Sequence, residues 1–419
     1  MKKGNWNLGK KGWFIILLSF LSIYINSAMT SDSLNVTIAA FAERGLNASI
    51  LYSLSTVATV CAVIGSMIFG KVMQMKTVRM VWGISMLITV PFAILWGNAH
   101  SIAVYTIAYL VCYVATTLSA TLFGYQVIAN WYPKKRGLAM GLITAGYPLS
   151  AATTSAIGSI LITKGGLNSF YLFMAIFAGI VGIIVLAYVR DFPEEKGAYP
   201  DNNDSFDFET AKKEHEANLQ YMATSKWTIK KVLVTGRMWQ LWFSIGILGF
   251  LAMGIMSNFV NKFLEYQYQI PEILMMLAIA GIIAVPGSVF VGWLDLKLGT
   301  KKACIITYLL GIFAIAFNLT HIHALHYISL PILALMLGGA SNFLVSCTSA
   351  IWGRYDFQNA FRVIQPLNSI MTGIGITVVG VVGTTINYTA SYITLLLMAI
   401  AGFIVFLTLK VSPIDDTVR

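Results

Sequence analysis

Charge is the scarcest ingredient of this 419-residue chain: Asp, Glu, Lys and Arg make up only 11% of it. A water-soluble domain carries about a quarter of its residues as charges, so a soluble globular fold is excluded. Cysteine is scarce as well. Cys61, Cys112, Cys304 and Cys347 all lie in apolar stretches without metal-ligand spacing, which reads as buried packing. No phosphate-cradling glycine loop and no nucleophile–base arrangement is present, so neither a cofactor, a bound metal nor an enzyme is expected. Intramembrane carboxylates are almost absent, leaving Asp32 near the outer end of the first apolar run and Glu272 at the start of the eighth.

What the chain has instead is hydrocarbon. Hydrophobic residues reach 57% and mean hydropathy is +0.75. Crossing a bilayer takes about 20 apolar residues in a helix. Twelve such runs can be read: 12–35, 47–71, 79–98, 101–131, 136–163 and 168–190, then 237–260, 271–294, 302–320, 325–352, 361–386 and 388–410. They are continuous rather than alternating, which predicts helices and not a barrel. The lysines and apolar stretch at the N-terminus resemble a secretory signal. Cleavage is not expected, because the apolar pattern continues to Ala40 and removal would leave an odd number of spans.

The net charge of +11 reports orientation, not a nucleic-acid partner. With the N-terminus cytoplasmic, 25 of the 28 basic residues fall on inner segments, and only Arg44, Lys164 and Lys262 lie outside. The positive-inside rule then puts both termini in the cytoplasm. Residues 191–236 break the apolar pattern with nine acidic residues and six lysines. Four regions follow: a six-helix bundle at 1–190, a cytoplasmic linker at 191–236, a second bundle at 237–410 and a tail at 411–419. Within the linker, "ETAKKEHEANLQYMA" fits a surface helix or a solvated connector equally well.

The expected fold class is therefore an all-α membrane protein of twelve transmembrane helices in two pseudo-symmetric six-helix bundles. That layout resembles the major facilitator transporters, in which two halves rock about a central site. "GKVMQMKTVRM" after the second run and "GWLDLKLGTKK" after the eighth resemble that group's cytoplasmic signature, whose acidic residue helps latch the halves. The first copy has Gln74 in place of the acid. The second keeps Gly292, Lys297 and Gly299, with Asp295 one position early. A latch of Asp295 facing Lys134, Lys135 and Arg136 is expected, against the plainer reading of ordinary positive-inside loops.

A narrower resemblance begins at Asn130. "NWYPKKRGLAMG" is similar to the Asn-x-Trp-Phe-Pro-x-x-Arg-Gly-Leu-Ala-x-Gly segment of the oxalate–formate antiporter family, near the monocarboxylate transporters. "AGYP" at Ala145–Pro148, "EEKGAYPDN", "GRMWQLWF" and the "MSN" ending at Asn258 extend it. In the oxalate carriers, a cation in helix 8 and another in helix 11 hold the two carboxylates, with aromatics around them. Aligned by eye, those cations fall near Ser288 and Asn368, and the helix 10 aromatics near Leu337 and Ser341. Only the helix 5 tyrosine keeps its place, as Tyr147. The resemblance thus implies anion transport, but not of oxalate, and a bacterial inner (plasma) membrane location.

Without those cations, recognition is expected from polar groups at helical spacing. They are Gln365 and Asn368 with Ser369 and Thr372, then Tyr113, Thr117, Thr121 and Tyr125, then Tyr147 with Ser150 and Thr154. Asn26 and Thr30, Ser341 and Asn342, and Asn258 with Asn261 complete the set. Many Ser and Thr side chains in such helices only bond their own backbone. Asp32 is the candidate for proton coupling, although a solvated helix end also fits it. His321, His323 and His326 lie at an outer loop, and metal binding there is not expected. The function expected is secondary transport of a small organic anion, a monocarboxylate or amphipathic carboxylate, by a monomer in the lipid bilayer. The alternatives are efflux of a hydrophobic or neutral compound, favoured by the 18 methionines, and a non-transporting sensor.

Overall fold

The computed structural model of the protein describes residues 7–75, 77–203 and 225–414, with single positions 213, 216, 217 and 220 between them. The stretch 209–223, read above as surface helix or connector, falls largely outside the described residues. So does the end of the tail, 415–419.

No strand occurs among the described residues. Broken at the two glycines that leave helical geometry, the described residues form twelve long helices. These are α1 (residues 10–43), α2 (Ala48–Met75), α3 (Val78–Gly97), α4 (Ile102–Trp131), α5 (residues 136–165) and α6 (residues 167–188). They continue as α7 (Gly236–Glu265), α8 (Ile270–Leu298), α9 (Thr300–Asn318), α10 (residues 323–352), α11 (residues 354–385) and α12 (Tyr388–Thr408). Gly166 (φ +73°) separates α5 from α6, and Gly353 (φ +71°) separates α10 from α11. Only glycine takes such angles without strain. Hydropathy predicts the eleventh helix from 361, but it starts at 354, because its first two turns are polar.

Among the described residues ten stretches are long and apolar enough to cross a membrane, and α2 adds a shorter apolar segment at Val57–Val72. Large apolar side chains such as Ile107, Ile183, Ile282 and Leu397 are exposed, as expected of lipid-facing helix surfaces. Thr77, Ser101 and Asn387 each accept from a backbone N–H in the first turn of α3, α4 and α12, satisfying donors that helix starts otherwise leave unbonded.

The chain divides into two compact units. The first holds residues 1–133 and 149–217, the second residues 134–148 and 218–419. In the first unit, α3 packs along α4, and both α1 and α4 contain a π-helical turn, at Ala28–Asp32 and Leu118–Gly124. Its core is aromatic: Trp96 lies against Tyr105, Tyr109 and Tyr171 with ring centroids 4.5–5.7 Å apart.

In the second unit, α7 packs along α11, and α8 along α10. The first half of α5 belongs here too, lying on α8. Small residues allow that contact. A methyl group on Gly292 would strike the Gly137 carbonyl, and one on Gly141 the Ser288 carbonyl, the close approach that glycine permits between membrane helices.

Candidate functional site

In the first unit the polar side chains gather around the π-helical turn of α1. Ser27 and Ser150 donate to Asp32 Oδ2 at 2.9 and 2.6 Å, and Ser31 donates to Oδ1 at 3.1 Å. Thr154 lies 3.0 Å from Ser150. Ser27, Ser150 and Thr154 are buried and Asp32 half-buried. Asp32 is thus held by hydroxyls rather than freely solvated at a helix end. π-Helical turns recur at functional positions because they re-aim side chains inside a helix. One turn earlier, Thr117 donates to Asn26 Oδ1 at 3.1 Å and so ties α4 to α1. Tyr24 shares a 2.8 Å hydrogen bond with Thr153. Thr30 and Thr121 bond the carbonyls four residues before them, the local role anticipated for many hydroxyls. Tyr125 is buried.

The second unit contains a polar knot where α5 meets α8 and α10. Thr144 donates to Asn342 Oδ1 at 2.6 Å and lies 2.6 Å from Ser288 Oγ. Ser288 in turn donates to the Gly141 carbonyl at 3.0 Å, and Asn342 to the Ser288 carbonyl at 3.2 Å. Ser288, the position where the resemblance places a cation, is fully buried under this contact. A long basic side chain has no room there. Asn342 is likewise fully buried and engaged in packing, while Ser341 beside it is half-buried. Asn258 is buried and bonds the Gly254 carbonyl. Tyr147 is half-buried in the first turn after Ala145.

A polar face of the second unit lies on α11. Gln358, Arg362, Gln365 and Ser369 follow one another at i, i+4, i+7 and i+11, which puts them on one side of the helix. Gln365 is buried, and its amide lies 3.4 Å from Ser369 Oγ. Three nearby atoms are buried with no hydrogen-bond partner: Gln358 Nε2, Arg362 Nε and Asn368 Oδ1. Pro366 has no N–H to give the Arg362 carbonyl, which adds an acceptor to the same stretch. Sequence reasoning counted Arg362 among the inner-side cations, at the very start of the run 361–386. It stands inside a continuous helix about 13 Å beyond the Gly353 kink. The available signal was its four-residue spacing from Gln358, in a stretch too polar for hydropathy to count as helix.

At the expected cytoplasmic end, Asp295 is buried and accepts from Thr300 Oγ1 at 2.7 Å. Its carboxylate lies against Gly137, where a methyl group would collide with it. Arg136 donates from Nε to the Ser346 carbonyl at 3.0 Å and acts electrostatically on Asp295. Lys134 is exposed and Lys135 half-buried. The structure therefore brings Asp295 to the Lys134–Arg136 segment, with its carboxylate packed against Gly137.

At the other end of the second unit, Lys262 is fully buried, an arrangement the sequence did not reveal. Its ammonium donates to Thr389 at 2.8 Å, lies 3.7 Å from the centre of the Tyr266 ring and 3.8 Å from Glu265. Glu265 accepts from the N–H groups of Tyr388 and Thr389 at the start of α12. His326 is buried between Tyr268 and the Thr320 carbonyl at 2.8 and 2.9 Å. Among the described residues no group of three or more metal-ligating side chains assembles.

Comparison with known proteins gives concordant results. The model of the Major Facilitator Superfamily matches residues 13–361. An oxalate:formate antiporter of Oxalobacter formigenes is 35% identical over 69 residues, 16% of this chain and 16% of that relative's length. The solved structure of the human organic anion transporter MFSD10 (TETRAN) matches with a TM-score of 0.67 at 15% identity, covering 95% of this chain and all of that one. That of the proton:xylose symporter XylE, bound to 6-bromo-6-deoxy-D-glucose, matches with a TM-score of 0.75 at 14% identity, covering 95% and 96%. At such identities these two structures speak to the fold.

Proposed function

The chain belongs to the Major Facilitator Superfamily and is a multi-pass membrane transporter, not an enzyme, and from that premise we propose that it moves a small organic anion by alternating access. The anion is a monocarboxylate or a larger amphipathic carboxylate. One observation carries this choice: the half-buried Arg362, whose Nε has no hydrogen-bond partner, on a helical face with Gln358 and Gln365. A charge inside a membrane helix is costly and is retained where a partner comes to meet it. A single such cation suits a single carboxylate. The second cation that a dianion needs has no place at Ser288, which is buried under α5. The 69-residue similarity to an oxalate:formate antiporter and the fold shared with an organic anion transporter support the anion class.

In this reading Gln365, Asn368 and Tyr147 supply hydrogen bonds to the carboxylate, and Asn26 and Thr117 are the solute-binding candidates of the first unit. Asp32, ringed by Ser27, Ser31 and Ser150, carries the coupled proton. Asp295 with Lys134–Arg136 forms the cytoplasmic latch. The halves are 1–190 and 237–410, the termini are cytoplasmic, and a monomer in the plasma membrane is the working form.

Purified protein in liposomes, loaded in turn with lactate, benzoate, oxalate and xylose, tests the reading. Counterflow of a monocarboxylate is expected, with Arg362→Gln raising KM about tenfold, a loss of roughly 1.4 kcal/mol, and Arg362→Lys recovering part of it. Robust oxalate exchange, or xylose flux with no carboxylate flux, overturns it. Proton coupling at Asp32 is abandoned if a pH gradient still drives uptake by Asp32→Asn.

A further inference from the structure

The second unit has a cavity beside Asp295 and the Lys134–Arg136 segment. It measures about 600 Å³, within the range of small-molecule sites. Its wall combines Lys134 and Arg136, which precede and open α5, with Lys301 and Lys302 in the first turn of α9. Leu296, Leu298 and Ile305 complete one side, and Leu298 is 43% exposed. The wall thus carries four cations and one carboxylate, that of Asp295.

Two features of this wall are left unbalanced. Helix α9 begins at Gly299 with no side chain capping its N-terminal N–H groups, and its first turn holds no acidic residue. Two lysines stand where the helix dipole disfavours positive charge. Lys301 is committed elsewhere, since it donates to the Leu407 and Leu409 carbonyls, whereas Lys302 is exposed. Separately, Asp295 Oδ2 is buried without a hydrogen bond of its own, with the Ser346 hydroxyl near enough to act on the carboxylate. An anion balances the first feature, and a hydrogen-bond donor satisfies the second.

We propose that this cavity binds a glycerophosphate group, with the phosphoryl oxygens on Lys134, Arg136, Lys302 and the first N–H groups of α9, and a glycerol hydroxyl directed to Asp295. Two sources offer that chemistry, the headgroup of an anionic phospholipid and a free glycerol phosphate. The apolar side of the cavity, with exposed Leu298 at the end of a membrane-spanning helix, favours the lipid, and basic pockets beside membrane helices are known to take such headgroups. The site shares Asp295, Lys134 and Arg136 with the proposed latch, and it does not depend on which solute is transported.

The test is thermal unfolding of the full chain in detergent, titrated with phosphatidylglycerol, phosphatidylcholine or glycerol 3-phosphate. Phosphatidylglycerol should raise Tm by several degrees and phosphatidylcholine should not. A rise with glycerol 3-phosphate as well supports the site with a free anion as its source. The combination Lys134→Gln with Lys302→Glu should weaken the apparent affinity about tenfold or more, and Lys302→Gln alone should weaken it less. Lys231→Gln, outside the cavity, should leave it intact. Equal responses to the two lipids with none to glycerol 3-phosphate overturn the proposal. A phosphatidylglycerol response that survives in both Lys302 variants also overturns it.

Discussion

The third and sixth helices of each set, α3 with α6 and α9 with α12, are tied together at their ends by opposite charges. At α3, the N–H groups of Val78 and Arg79 donate to the Asp191 carboxylate at 2.7 and 3.0 Å, and Asp191 lies just past α6. A negative group meets a positive helix start. At α9 the tie runs the other way: Lys301, in the first turn, donates to the Leu407 and Leu409 carbonyls at the end of α12. A positive group meets a negative helix end. Both arrangements match the helix dipole, but they leave different remainders. The start of α3 is filled by its own chain, and that of α9 is left facing a basic cavity. The proposed anion site belongs to the second unit for this reason.

Copying the second arrangement into the first is the most severe change. Asp191→Lys leaves two backbone donors unbonded and puts a cation on a helix start, a loss of about 3 kcal/mol or more. A large drop in the temperature of half-unfolding is expected, read by intrinsic fluorescence. If the variant melts with the wild type, the tie at α3 is not structural. The reciprocal change, Lys301→Met, removes two hydrogen bonds but adds no repulsion. About 1–2 kcal/mol is expected, and the α9 cavity should keep its lipid response, since Lys302 and Lys134 remain.

How far such features were legible in the sequence depended on the kind of force. Burial against lipid acts on long stretches, so the twelve apolar runs and the family could be read directly from composition and local order. Ties between helix ends rest on single residues far apart in the chain, such as Asp191 with Val78 or Lys301 with Leu407, and spacing does not reveal them. Asp295 was singled out because a short signature flagged it. Arg362 was missed because the run read from hydropathy began only at 361, which left it looking like an inner-side charge at a helix start, whereas the helix begins at 354. Lys262 was counted as an outer-loop charge, yet it is sealed among Tyr266, Thr389 and Glu265. Asn342 was expected to face a solute, and the structure uses it to hold α10 against α5 and α8.

A milder change sharpens the account of Asp191. Burial pushes its carboxyl above the ordinary 3.8, and the hydrogen bonds from Arg79 and Val78 offset this only in part. The folded state therefore holds the proton more tightly than the unfolded chain. That contribution to stability is fully present below the ordinary value and is lost as pH rises through the raised one. Asp191→Asn has no such group to titrate. Its Tm should vary less than the wild type's from pH 4 upward, within about 1 kcal/mol. Parallel profiles for the two proteins would show that the Asp191 carboxyl titrates alike folded and unfolded.

The smallest expected effect concerns Lys196, in the strap that follows Asp191. Its ammonium lies over the Tyr188 ring, and its carbonyl accepts from Lys11 at 2.5 Å. Burial, then Arg190 and Lys11, lower its pKa to about 8. The folded state thus releases this proton more readily than the unfolded chain. Stability from this source is missing at neutral pH and grows as pH rises from about 8 toward the ordinary 10.5. Because the side chain is largely open to water, screening leaves a shift of about 1 °C or less. Lys196→Met should remove that rise and leave Tm at pH 7 unchanged or slightly higher. A fall at pH 7 would mean that the cation stabilises the strap through the Tyr188 ring, and that attraction to the ring outweighs repulsion from Arg190 and Lys11.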